Sequence, residues 1–430
     1  MRILFSMTAR SVVPLFAGTL LCGTARTLRA QPGPEFRVNT YTTGAQRSPA
    51  LDKQGDNFVV AWESDGQDGD VSGIFARSFT QPGVPLGPEF QVNSYTTSAQ
   101  HAAAVGGGNS FAVIAWRSEG QDGDQGGIYA RRFDSSGPVG GEFRVNTQVE
   151  FDQLTPAVDA ETAGNFVVVW ASFGQDGSDS GIFAQRYSSA GSPMGGEFRV
   201  NIWTTGFQGH PAVAMEPDDG TFVVLWDGEG PGDSAGVFGQ RFLTSGPPIG
   251  SPFQVNTFTT GNQSYPAVAS DITAFCVAWQ SDGEDGSGYG VYRRGYNFFT
   301  GQPGGPPTPQ VNGFTTGSQA HPTVATVAFS GDVIAWDDDI QDPQGGVYGR
   351  LHAGSPTGCF GQSGTEFRLH ATTAGSQSDP AMAYGGFIGS GWALMVAWTS
   401  DQDPDGSPGV YAEVSVESWL PVELQDFTVQ

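Results

Sequence analysis

From about residue 35 to residue 416 the chain alternates short apolar runs with clusters of Gly, Asp, Asn and Pro, and the alternation itself repeats. One stretch, residues 155–201, shows the unit: PAVDA (156–160), NFVVVW (165–170), GIFAQRY (181–187) and EFRVN (197–201). Each run is rich in β-branched and aromatic residues and is bounded by turn formers, which predicts four strands per unit. Helix is not expected, because 63 glycines and 28 prolines interrupt every window long enough to hold one.

The second run is apolar at successive positions, Phe166, Val167, Val168, Val169 and Trp170, so both of its faces must be covered. The first run is built of small residues, as in Pro211-Ala212-Val213-Ala214 and Pro266-Ala267-Val268-Ala269. Small side chains suit strands that converge on a crowded axis.

The tryptophan closing the second run recurs at Trp62, Trp116, Trp170, Trp226, Trp279, Trp336 and Trp398, at spacings of 54, 54, 56, 53, 57 and 62. The EFRVNT segment likewise gives Asn39, Asn93, Asn146, Asn201, Asn256 and Asn312, with His370 in the seventh place. Four-stranded sheets repeated radially, each packed between two neighbours, predict an all-β, seven-bladed β-propeller. A β-solenoid is the alternative, although its coils are usually shorter than this unit. The phase of the repeat favours a ring. An orphan EFRVNT (35–40) opens the repeats, and the last unit stops after GVYAEVSV (409–416). The N-terminal strand is therefore expected to supply the outer strand of the last blade.

These units resemble the VNT…GNFVVVW…DG…GIFAQRF repeats of exported bacterial proteins that lack an assigned activity, over residues 35 to 416. The resemblance implies a repeat architecture and carries no catalytic residues. Residues 1–30 read as a secretory leader, with Arg2 and Arg10 ahead of the apolar SVVPLFAGTLLCGTA, and cleavage is expected near Ala30 or after Ala25. The propeller then spans 31–418 and a tail 419–430. The tail, WLPVELQDFTVQ, resembles the junction before an anchoring segment in some bacterial surface proteins, or forms one more edge strand.

The net charge is −25, with Lys53 the single lysine. Removing the leader discards four arginines, Arg2, Arg10, Arg26 and Arg29, and makes the charge still more negative. Such a surface repels a phosphate backbone, which excludes nucleic acid and leaves cations and basic or neutral polymers as compatible partners. No segment after the leader approaches the apolar length of a membrane span. A secreted monomer that binds an extracellular protein or glycan is expected. Three cysteines make no disulfide framework: Cys276 reads as a small core residue, and a bridge from it to Cys359 stays open.

Candidate chemistry falls on one face, where the turn between strands two and three meets the connection to the next blade. Half of the 44 acidic residues lie in those turns, including Asp65, Asp68, Asp70, Asp122, Asp124, Asp176, Asp179, Asp282 and Asp285. Clustered carboxylates on Gly-containing turns could hold Ca²⁺. Their spacing departs from the EF-hand pattern, and Asp-Gly is also a common hairpin pair, so a purely structural role stays open.

A glutamine recurs in every unit, Gln46, Gln100, Gln153, Gln208, Gln263, Gln319 and Gln377, and is expected to satisfy backbone groups between blades. Two residues later the chain is asymmetric: Ser48, Ala102, Thr155, His210, Tyr265, His321, Asp379. His210, Tyr265, His321 and Asp379 would line one side of the channel mouth, where they bind a metal or polar ligand or merely meet water. GDSAG (232–236) fits G-x-S-x-G, yet it falls in a strand-to-strand hairpin where a nucleophile elbow needs strand-to-helix. The favoured reading is a non-catalytic exported propeller with an acidic binding face. The competing reading is a polysaccharide-acting hydrolase or lyase, by analogy of fold.

Overall fold

A strand that is apolar on both faces needs a packing partner on each side, and the computed structural model provides one in every unit. It describes residues 33–304, 309–327, 331–353, 363–388, 391–403 and 406–417. The leader, the tail and Cys359 lie outside these residues. Seven four-stranded antiparallel sheets stand around a common axis, and the described residues contain no helix. The protein is a seven-bladed all-β propeller.

Blade four shows the plan, running from the axis outward as Gln208–Met215, Phe222–Gly230, Asp233–Phe242 and Pro248–Gln254. The innermost strand of each blade packs against that of the next, and the innermost strand of blade seven against that of blade one. A solenoid has no such return contact.

The hydrophobic core divides into seven clusters, one in each seam between neighbouring blades. In blade one, Phe58, Val60 and Trp62 face blade seven while Val59 and Ala61 face blade two. That alternation explains the unbroken apolar run. All seven repeat tryptophans are fully buried. Cys276 is buried in the seam between blades five and six and is disulfide-bonded.

The ring closes as the phase of the repeat requires. Phe36 and Arg37 pair with Ala412 and Tyr411, completing blade seven beside Gly409–Glu417. Val38 N donates to Val410 O at 2.8 Å, and Val410 N donates to Asn39 Oδ1 at 2.9 Å.

Candidate functional site

Every innermost strand carries a bulge at the same place, between its glutamine and its small apolar run. The residue on the bulge has a left-handed backbone in all seven blades: Ser48 (φ 51°), Ala102 (52°), Thr155 (44°), His210 (42°), Tyr265 (52°), His321 (46°) and Asp379 (54°). The register of the first strand pair shifts at this point, as between Gly209 and Ala212. A non-glycine residue in this region costs about 1–3 kcal/mol and persists only where its surroundings hold it.

In five blades the holding group is the side chain that follows the repeat tryptophan of the preceding blade. Ser48 N donates to Thr399 Oγ1 (3.1 Å), Ala102 N to Glu63 Oε1 (2.7 Å), Tyr265 N to Asp227 Oδ2 (2.9 Å) and His321 N to Gln280 Oε1 (2.9 Å). Asp379 N donates to Asp337 in the same way. Each bond crosses a seam, so the bulge is fixed by the preceding blade.

The four asymmetric rim residues come together. The His210 ring stacks on the Tyr265 ring at 4.0 Å, and Tyr265 meets His321 edge to face at 4.9 Å. His210 Nδ1 lies 2.8 Å from Asp227 Oδ2, and His321 Nδ1 lies 2.8 Å from Asp337 Oδ2. Tyr265 and His321 are exposed, while Asp227 is buried. The hydrogen bond to Asp337 raises the His321 pKa against the opposing effect of burial. Burial in turn pushes Asp337 up to about 6, with the His321 bond pulling the other way. Neither Asp227 nor Asp337 was read as a rim residue in the sequence, where Asp337 counted only among the acidic turn residues, although both stand directly after a repeat tryptophan.

The other face residues are engaged by the protein itself. Gln100 Oε1 accepts from Asn93 Nδ2 (2.9 Å) while its amide donates to the Thr97 and Ser98 carbonyls. The same Asn-to-Gln bond recurs at Gln153, Gln208, Gln263 and Gln319. Gln46 accepts instead from Trp62 Nε1 (3.3 Å), and Gln377 donates to the Ala374 and Gly375 carbonyls.

In the turns, Asp68, Asp122, Asp176 and Asp285 each accept a backbone N–H two residues on. Asp70 and Asp124 reach across to Ser98 N and Phe151 N, and Asp65 holds Arg47 at 2.7 Å. Asp179 and Asp282 join the backbone pairing of the face, through Gly174 N and the Asn262 carbonyl. The glycine opening strand three explains its recurrence: a Cβ at Gly73 or Gly181 would sit 2.6 Å from the Asp68 or Asp176 carboxylate. Among the described residues, the one trio of acidic or imidazole side chains with ligand atoms within 4.8 Å of one another is His321, Asp337 and Asp379. The turn aspartates form none. Ser234 of GDSAG lies in the strand Asp233–Phe242, as a hairpin requires.

A cavity of about 420 Å³ opens at the other end of the innermost strands, lined by all seven blades. It contains the single lysine, Lys53, with Asp52 and Asp159, neither of which stood out in the sequence. Asp159 accepts from Ala160 N and Met215 N, and Asp52 from Lys53 N and Gly107 N. Burial first, and then the charge of Asp52, push Asp159 up to about 7; burial likewise lifts Asp52 to about 6.

An acid whose folded pKa is raised stabilises the fold below its unfolded pKa and loses that contribution as pH rises through the folded value. Between pH 5 and pH 8, therefore, Asp159→Asn is expected to gain stability relative to wild type, on the order of 2 kcal/mol. Denaturant titrations of both proteins across this window measure it, and parallel pH profiles would contradict it.

No protein-family model matches the chain, and no curated protein does. Solved structures resemble it as folds. A protein of unknown function from Dyadobacter fermentans is 10% identical with a TM-score of 0.53, covering 91% of this chain and 100% of its own. A polysaccharide lyase, an ulvan lyase bound to -[GlcA(1-4)Rha3S]-, is 10% identical with a TM-score of 0.54, covering 89% and 96%. At this identity the likeness establishes the propeller and nothing finer.

Proposed function

We propose that the protein is an exported carbohydrate-binding propeller whose ligand docks on the rim of blades four to seven. One observation carries this reading: the ring ladder His210–Tyr265–His321, with Tyr265 and His321 exposed and His210 half-buried, flanked by Asp227, Asp337 and Asp379 on one side of the axis only. Ring faces suit the C–H faces of a sugar, and carboxylate and imidazole edges suit its hydroxyls. The strongly acidic chain favours a neutral glycan over an anionic one. That a fold of this kind holds a glycan in the ulvan lyase complex supports the idea by analogy alone.

Calorimetry against a panel of neutral oligosaccharides tests it. Tyr265→Ala should weaken binding roughly tenfold or more, the scale of an aromatic anchor. Ser48→Ala, on blade one across the axis from Tyr265, should leave affinity unchanged. Equal affinities for both variants would refute the placement.

A second reading, turnover of the same glycan, is favoured by the two imidazoles, each with Nδ1 set against a carboxylate and Nε2 left for proton transfer. New reducing ends or unsaturated products that vanish in His210→Ala would establish it. Binding without products keeps the first reading.

A further inference from the structure

We propose that His321, Asp337 and Asp379 form a binding site for a divalent transition-metal ion, of the zinc or manganese kind, at the seam between blades six and seven. Their ligand atoms lie within 4.8 Å of one another. Three ligands at about 2.0–2.2 Å from a tetrahedral zinc stand roughly 3.3–3.6 Å apart, so the widest separation of the set must shorten while the 2.8 Å contact of His321 with Asp337 opens. The His321 side chain, 46% exposed, has room for both adjustments.

The backbone is already committed. His321 and Asp379 sit on the bulges of adjacent blades, and Asp337 takes the N–H of Asp379, so all three side chains are set by the same seam. A second observation points to a missing partner. Asp337 Oδ1 is enclosed and accepts no hydrogen bond, although its other oxygen faces His321. An enclosed carboxylate oxygen without a partner is costly, and a cation satisfies it directly.

The donor set decides the class of ion. Imidazole together with two carboxylates suits zinc, manganese or iron(II), whereas calcium and magnesium favour oxygen-only shells. Three protein ligands leave a coordination position open beside Tyr265, toward the rim. The site does not depend on the carbohydrate reading, since the ion binds whether or not a sugar follows.

The test uses the whole chain, dialysed against chelator and titrated with Zn²⁺, Mn²⁺ or Ca²⁺ alone. One equivalent of Zn²⁺ or Mn²⁺ is expected, with Ca²⁺ much weaker. His321→Ala and Asp379→Asn should each lower that affinity roughly tenfold or more, at unchanged thermal midpoint in chelator. His101→Ala, whose ring pairs with Glu119 elsewhere on the face, is the control and should bind as wild type. Absence of stoichiometric uptake would overturn the proposal. So would uptake that survives both rim substitutions, or that is lost equally in His101→Ala.

Discussion

Removing residues 33–41 is expected to cost about 4–8 kcal/mol, a large part of the stability of an ordinary domain. The segment buries Val38 completely, packs Phe36 against Phe79 at 5.5 Å, and pairs with Ala412 and Tyr411. It also places Glu35 where the carboxylate accepts from Ala371 N (2.9 Å) and Gln402 Nε2 (2.6 Å), and it offers the Val38 carbonyl to Arg77 (3.1 Å). Its loss strips blade seven to three strands and opens the seam to blade one. The strand Gly409–Glu417 then presents an unpaired edge, a template for aggregation. Equilibrium unfolding in urea and size-exclusion chromatography measure both effects. A truncated chain with the wild-type midpoint would mean that the ring does not depend on this closure.

Trp226→Ala and Trp398→Ala should each destabilise by about 3–5 kcal/mol, as expected when a fully buried tryptophan leaves a cavity. Both side chains are completely enclosed, one in the seam between blades three and four, the other between blades six and seven. Their near equality is the informative part. In an open repeat array the terminal units lose less because they have one neighbour, whereas a closed ring has no terminal unit. Denaturant midpoints for the two variants decide the matter: a Trp398 penalty less than half that of Trp226 would indicate that the last blade is loosely held.

The architecture was legible because burial leaves its mark on every repeat. Phe166–Trp170 cannot be apolar throughout unless both faces are covered, and the orphan strand at Phe36 needed a partner that only the last unit lacked. The rim was legible in part. His210, Tyr265, His321 and Asp379 stood out because they break a repeated position, and the structure does gather them.

Their bulge was hidden, since a left-handed backbone leaves no letter of its own. A trace existed all the same: six of the seven bulge residues precede a proline, as in His210-Pro211 and Asp379-Pro380. The clasp residues were missed for a different reason. Glu63, Asp227, Gln280, Asp337 and Thr399 share a task, accepting one N–H across a seam, but not an identity. A scan for acceptor side chains directly after the repeat tryptophan would have found them. Asp52 and Asp159 escaped because they end strands read only for their small size, and their partnership arises from the convergence of blades at the axis.

Because blade seven takes its outer strand from Phe36–Arg37 and its other three from residues 377–417, the ring cannot be completed before the whole stretch between them has been made. Blades one to six hold all their own strands and can assemble in turn as each is released from the ribosome. The segment around Phe36 must wait, unpaired, until the stretch around Tyr411 is free to receive it. Closing the ring thus turns on one pairing of very high sequence separation, the kind of contact that forms slowly.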